Sequence, residues 1–349
     1  MEDSVEALMK QGKDGAVAQA RFAVALMAHG DPVRAVALAA RALSLAPDNG
    51  EVACLAGEVM AQGVPSWHFS IVHDALRNAA YEAALARAIK PGMKVLEIGA
   101  GTGILSMMAA RADAGEVVAC EMNPKVAAAA QDIVARNGFA DRVRIVAKKS
   151  TDLDPVADLG GPADILVSEI VDNGLLGERV LSAVEDAAQR LLRPGAAIIP
   201  ARGNLRIALA HYSKLQSRHM GTIEGFDLSA FNRLANPHFT LRRENADLAL
   251  RSAPADLFAF DFSSGGPFPP ADARVELVSD GAPVNGIVQW IRLEMDDTGH
   301  YENVPGPGPQ SCWAVIFHPF RQERRPAKGA RVAVCGRHQR ASYSLWTDF

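Results

Sequence analysis

The sequence predicts a doubly wound α/β sheet, with a short helical segment before it and a mainly antiparallel β domain after it. Three observations carry that prediction. Between Lys94 and Pro200, short apolar runs alternate with helical patterns. Upstream, residues 16–60 are alanine-rich and helically patterned. Beyond about Gly203 the alternation gives way to short β-like segments between proline- and glycine-rich turns. The 349 residues suffice for two or three domains with a sizeable core. The expected boundaries are 1–64, 65–202 and 203–349.

In the first segment Val17, Ala20, Val24 and Met27 recur at helix spacing. Gly30-Asp31-Pro32 suits a helix stop and restart. A second stripe, Val33, Val36, Ala37, Ala40 and Leu43, is closed by Pro47, and a third helical segment spans Glu51 to Ala61. Two helices with a Gly-Asp turn and a terminal proline are similar to a tetratricopeptide repeat; a plain helical hairpin is the alternative.

In the middle segment Lys94–Ile98 (KVLEI) reads as a buried parallel strand. A helix is expected over Ile104–Arg111 and a strand over Val117–Cys120. Asn123-Pro124 is a helix start, with Asn as cap and Pro at the first position, and Asn137-Gly138 is its stop. Strands over Val143–Ala147, Ile165–Val167 and Ala196–Ile199, with a helix over Val180–Leu192, complete the alternation. The last segment offers strands at Leu205–Ala210, Leu257–Asp261, Arg274–Leu277, Val288–Glu294, Trp313–Phe317 and Arg331–Val334. They are expected to form an antiparallel β domain of barrel type, with a partly helical insertion between Tyr212 and Phe239.

Composition narrows the class. Hydrophobic residues make up 49% and charged residues 22%, as in ordinary globular proteins. A net charge of −4 gives no general attraction to nucleic acid. Cys54, Cys120, Cys312 and Cys335 form no C-x-x-C pair and no zinc spacing with histidine, as expected of reduced thiols in the cytoplasm. MEDSVEALMKQGKDG lacks a basic region followed by an apolar run, so no signal peptide is expected. No uninterrupted apolar stretch is long enough to suggest a membrane span.

The strongest motif is VLEIGAGTG at 95–103. Gly99, Gly101 and Gly103 stand at G-x-G-x-G spacing between a strand and a helix. Without side chains there, the backbone can approach a ligand at the helix N-terminus. Glu121 ends the next strand, where a carboxylate can accept both ribose hydroxyls. Dinucleotide loops space their glycines G-x-G-x-x-G, and Ile104 stands where that last glycine would be. The spacing and the acidic strand end favour S-adenosyl-L-methionine over a nicotinamide cofactor.

A second constellation follows the fourth strand: SEIVDNGLLGE, with Glu169 and Glu178 at its two ends. Strand carboxyl ends line the ligand crevice of such sheets. Two carboxylates aimed at one point can do acid–base work, hold a metal or hold a cation. No histidine or aspartate cluster supports a metal. A planar guanidinium suits the pair, because each oxygen can receive one N–H in a fixed fork.

With these motifs the chain resembles the protein arginine N-methyltransferases from about Pro65 to its C-terminus. SEIVDNGLLGE looks like the family's double-glutamate loop, VLEIGAGTGILSMMA like its cofactor motif, and ACEMNP like its ribose-binding strand end. WHFSIVHDALRNAAYEAAL at 67–85 looks like the helix that closes over the cofactor. The resemblance implies a Rossmann-like class I methyltransferase sheet that binds S-adenosyl-L-methionine. It also implies catalytic Glu169 and Glu178. His68, Arg77, Glu97, Gly99, Gly101, Gly103, Glu121, Thr151 and Asp152 would line the cofactor, with Arg77 on the methionine carboxylate and Asp152 at the adenine. Asp74 and Trp313 would border the substrate. The implied partners are an arginine-containing protein or peptide and a second copy of the chain, held by an arm at TIEGFDLSAF (222–231). No metal, specific nucleic acid or membrane is implied. The N-terminal repeat-like segment, the 67–78 segment and Asp172 are similar to the branch with tetratricopeptide repeats and to the monomethylating branch. One departure stands out. Where the family has Thr-His-Trp, this chain has Ser311-Cys312-Trp313, so Asp74 lacks its expected histidine partner.

Overall fold

The computed structural model describes residues 15–218 and 220–348. The chain divides into two compact units, Met1–His68 and Phe69–Phe349. Apart from Gly15, the segment behind the expectation of no signal peptide lies outside the described residues.

Among the described residues of the first unit, the helices α1 (Ala16–Ala28), α2 (Pro32–Leu45) and α3 (Gly50–Ala61) pack on one another. Asp31 and Asn49 cap α2 and α3 by accepting from Arg34 N and Val52 N. The buried faces overlap the expected stripes without matching them: Ala20 is buried and Val17, Val24, Met27, Val36 and Leu43 pack partly buried on the helical cores, whereas Val33, Ala37 and Ala40 are exposed. Ala16, Gln19, Ala20, Ala23 and Leu26 are buried in α1, and Ala35, Leu38, Ala39 and Ala42 in α2. Val33 is 79% exposed. Alanine is abundant on every side of both helices, so apolar periodicity alone does not select a face. α4 (Trp67–Ile71) spans the junction of the two units.

In the second unit α5 (Ala75–Ala88) precedes a five-stranded parallel sheet. Its strands are β1 (Lys94–Ile98), β2 (Glu116–Cys120), β3 (Val143–Val146), β4 (Ala163–Ser168) and β5 (Leu192–Ile199), in the order β3-β2-β1-β4-β5. Helices α6 (Ile104–Arg111), α7 (Pro124–Arg136) and α8 (Val180–Arg190) connect them. Asn123 caps α7 through Lys125 N, and Gly138 follows its end at φ 76°, as the sequence predicts. Strand order reverses between β1 and β4, which is where such sheets open a crevice at their carboxyl ends.

The antiparallel part begins at β6 (Arg202–Tyr212). After the insertion come β9 (Phe239–Leu241), β10 (Leu248–Leu250), β11 (Ala255–Asp261), β12 (Ala271–Val278), β13 (Val284–Glu294), β14 (His300–Glu302), β15 (Val315–Arg324), β16 (Arg331–His338) and β17 (Tyr343–Asp348). One sheet runs β10-β6-β13-β15-β9, with β11 on β6 and β14 on β13; β12-β16-β17 form another. The insertion holds a two-strand hairpin, β7 (Thr222–Ile223) and β8 (Phe226–Asp227), and short 3₁₀ turns at Leu215–Arg218 and Ser229–Leu234. One continuous core joins the two sheet systems, from Leu96 and Val167 through Leu205 to Ile291 and Val334.

Candidate active site

Three loops meet at the carboxyl ends of β1, β2 and β4. The first is the glycine loop. Gly99, Gly101 and Gly103 sit at φ 86°, 53° and 78°, in the left-handed region that only glycine enters freely. Gly99 N and Ala100 N both donate to Cys120 O at 3.0 Å, folding the loop over β2. A methyl group added at Gly99 would lie 2.6 Å from Ile170 Cγ2, so glycine is also needed where this loop packs on the third one.

Glu121 follows β2 and is buried. Its two oxygens accept from Gly101 N (3.1 Å) and Asn123 N (2.8 Å), which fixes the carboxylate against the glycine loop. Each oxygen keeps a further lone pair. Beneath the loop, Glu97 on β1 is 1% exposed and accepts from Ser106 Oγ of α6. Burial pushes its carboxyl up to about 8, against the lowering effects of Ser106 and Arg77. Thr151 and Asp152 lie exposed in a 3₁₀ turn after β3. Arg190 of α8 holds this turn by donating to Leu153 O (3.0 Å) and Thr151 O (3.3 Å), a brace that sequence reading missed.

The third loop carries the two glutamates. The Glu169 side chain is 6% exposed, and its Oε2 accepts from Arg77 Nη2 at 2.8 Å. Its Oε1 is buried with no hydrogen-bond partner. Burial pushes the Glu169 carboxyl up to about 7, with Arg77 pulling the other way. Arg77 lies in the first turn of α5 with its side chain 4% exposed, over the Tyr81 ring at 5.2 Å. Burial would lower the Arg77 pKa, yet Glu169 and its neighbours hold it raised. Glu178 is more exposed and forms no hydrogen bond or ion pair among the described residues. Partial burial, then the charges of Asp172 and Glu121, raise its pKa. Glu178 therefore lies within electrostatic reach of both Glu169 and Glu121. Between them Asp172 Oδ1 accepts from Gly174 N (3.0 Å) and Gly177 N (3.1 Å), and Leu175 and Arg179 take φ 71° and 63°. Two non-glycine residues in the left-handed region mark a loop held by its surroundings.

Those surroundings come from the β domain. Trp313 Nε1 donates to Val171 O at 3.1 Å, and Ala314 N donates to Asn173 Oδ1 at 2.8 Å. Gln289 Nε2 donates to Asn173 O at 3.3 Å, while Gln289 Oε1 pairs with Tyr343 Oη and His318 Nε2. Trp313 also lines a cavity of about 410 Å³, with Ser70, His73, Arg242, Glu244 and Cys312 among the other walls. Asp74 is 3% exposed. Its Oδ1 caps α5 by accepting from Arg77 N (2.9 Å). Its Oδ2 accepts from Cys312 N (2.9 Å) and Tyr301 Oη (2.6 Å). The partner expected to be missing is thus supplied by Tyr301, on a strand that sequence reading did not find.

Of the expected site residues, Asp74, Arg77, Glu97, Gly99, Gly101, Gly103, Glu121, Thr151, Asp152, Glu169, Glu178 and Trp313 belong to the second unit. His68 belongs to the first. Among the described residues no group of three or more His, Cys, Asp or Glu is placed to hold a metal ion, and no helix is long and apolar enough to cross a membrane.

A parallel sheet in this order, with a glycine loop and a strand-end acid at its switch point, defines the methyltransferase class of Rossmann-like folds. Comparisons with known proteins agree. The family model for ribosomal protein L11 methyltransferase (PrmA) matches residues 82–201. The arginine N(omega)-methyltransferase of Streptomyces achromogenes subsp. streptozoticus is 36% identical over 279 residues, covering 79% of this chain and 77% of that protein. Protein arginine N-methyltransferase 7 of Drosophila grimshawi is 33% identical over 258 residues, 66% of this chain; the match spans 36% of that longer protein. A solved Trypanosoma brucei PRMT1 enzyme-prozyme complex with AdoHcy shares the fold, with a TM-score of 0.70 and 24% identity over 81% of this chain and 93% of that one. The chain belongs to the arginine N-methyltransferase family.

Proposed function

We infer that this protein transfers a methyl group from S-adenosyl-L-methionine to a guanidinium nitrogen of arginine. The observation that carries this reading is Glu169: one oxygen is held by Arg77, and the other is buried without a donor beside the glycine loop. An unsatisfied buried acceptor costs about 1–3 kcal/mol, which a ligand N–H recovers. A guanidinium brings that N–H in a planar fork, together with a positive charge to balance the acids.

The cofactor fits the residues present. The glycine loop offers bare backbone, and Glu121 is a pre-oriented acceptor for ribose hydroxyls. Arg77 supplies a buried cation for a carboxylate, and Thr151 and Asp152 would meet the adenine. When bound, S-adenosyl-L-methionine supplies an electrophilic methyl group on sulfur. The protein's part is orientation and charge. Glu169 and Glu178 pin the guanidinium so that one nitrogen faces the methyl group. Their charges stabilise the positive charge that grows there. The arginine side chain enters charged, because its ordinary pKa is above about 12. A proton leaves during or after transfer, and Glu169, raised to about 7, is the acceptor.

For the substrate, the family resemblance supports arginine within a protein or peptide. The name of the Streptomyces relative specifies arginine without the word protein, which favours a free guanidino amino acid as a second reading. Radiolabelled S-adenosyl-L-methionine, offered with an arginine-rich peptide and with free arginine in parallel, separates the two. Label in the peptide supports the first reading, label in free arginine alone supports the second, and label in neither contradicts both.

The insertion exposes Ile223, Phe226, Leu228, Phe231 and Leu234, and we propose that a second copy covers them. Light scattering that finds only monomer at micromolar concentration would contradict it. Helices α1 to α3 are proposed as a tetratricopeptide-like unit that engages a partner, and the four unpaired cysteines suit the cytoplasm. Deleting residues 1–64 without loss of any binding partner, or a secreted native protein, would overturn these in turn.

A further inference from the structure

We propose that Tyr301 is the positioning residue that locks the closing helix to the double-glutamate loop, in the role that the family pattern gives to a histidine at position 312. This inference rests on the functional reading above. Its hydroxyl lies at the centre of a closed circuit. It donates to Asp74 Oδ2 at 2.6 Å and lies 2.6 Å from Ser311 Oγ. Asp74 caps α5 through Arg77 N, and Arg77 reaches Glu169 through Nη2. On the other side Ser311 Oγ accepts from Trp313 N at 3.1 Å, and Trp313 Nε1 donates to Val171 O, two residues beyond Glu169. The Tyr301 and Trp313 rings meet edge to face with centroids 5.2 Å apart. One hydroxyl thus connects the element that carries Arg77 with the element that holds the loop.

Cysteine at 312 explains why the task falls to tyrosine. Its thiol is a weaker and shorter-reaching donor than an imidazole, and its backbone N–H supplies the 2.9 Å bond to Asp74. Tyr301 approaches from β14, a three-residue strand paired to β13 through Leu293. Burial and the bond to Asp74 push the phenol well above its ordinary range, so it stays protonated and donating throughout the physiological pH range.

Replacing Tyr301 with phenylalanine removes only the hydroxyl. Asp74 Oδ2 loses the Tyr301 donor and keeps Cys312 N, and the start of α5 loses a side-chain tie to the β domain while the Arg87–Asp296 pair at its other end stays. The expected result for Tyr301→Phe is a fall in kcat/KM of about ten-fold or more, with melting temperature and circular dichroism close to wild type. Adding Cys312→His, which restores the histidine of the family pattern, is expected to recover most of the loss. Tyr301→Phe activity within two-fold of wild type overturns the proposal, as does a loss fully matched by a smaller folded fraction. Wild type assayed alongside keeps the two readings apart. No methyl transfer by wild type defeats the functional reading, whereas equal transfer by wild type and Tyr301→Phe defeats only this one.

Discussion

The glycine loop and the double-glutamate loop lie side by side and are built in opposite ways. The glycine loop holds its shape through near neighbours: left-handed glycines, bonds to Cys120 O, and a carboxylate one strand away. The glutamate loop is held mainly from afar, by Trp313, Ala314 and Gln289, each more than a hundred residues distant in sequence. The difference teaches that the proposed cofactor side is a property of the sheet, whereas the proposed substrate side is a property of the junction between the sheet and the β domain. Changes on the two sides should therefore have separable consequences.

The largest separation is expected from the glutamates themselves. Glu169→Gln and Glu178→Gln should each lower kcat by about 100-fold or more, while S-adenosylhomocysteine affinity by calorimetry stays within a few-fold. A variant with near-wild-type turnover would break the assignment. Gly99→Ala tests the opposite side. With φ at 86° and Ile170 Cγ2 at 2.6 Å from the new carbon, it should weaken S-adenosylhomocysteine binding about ten-fold and cost about 1–3 kcal/mol of stability by denaturant titration. Unchanged binding would show that the loop is not a cradle.

Trp313→Phe sharpens the comparison from the β domain. It removes the bond to Val171 O and keeps most of the ring packing, so kcat should fall about five-fold with cofactor affinity intact. Equal losses in both would blur the distinction drawn here.

The smallest effect concerns pH. Glu97 and Glu169, pushed up to about 8 and about 7 from 4.5, keep protons in the folded chain that the unfolded chain releases. The native state therefore binds more protons between about pH 4.5 and 8, and the cofactor-free protein should lose stability as pH rises through that window. Glu97→Gln should flatten the slope of melting temperature against pH; an unchanged slope would argue against a buried neutral acid there. In turnover, kcat/KM should fall as pH drops below about 7 and Glu169 takes up its proton.

The same contrast decided what could be read from the sequence. Strand β1, helix α6, the Asn123 cap and the glycine loop were legible because their signals lie within a few residues of one another. Glu169 and Glu178 were legible as a pair because one short loop carries both. Tyr301 was not, since its bond to Asp74 spans 227 residues and β14 is a three-residue strand with no periodicity to detect. Gln289 was expected only as one position in a strand; its role depends on which loop that strand happens to face. In the N-terminal helices, alanine on all sides concealed the buried face that packing later selected.

The central claim is that the acid pair presents an arginine guanidinium to the methyl donor. Fragment-ion mass spectrometry of an arginine peptide and of free arginine, after incubation with S-adenosyl-L-methionine, tests it most directly. The account predicts a methyl group on a guanidinium nitrogen in at least one of them, formed about 100-fold more slowly or not at all by Glu169→Gln and Glu178→Gln. A methyl group on another atom, or near-wild-type product yield from either variant, would contradict it.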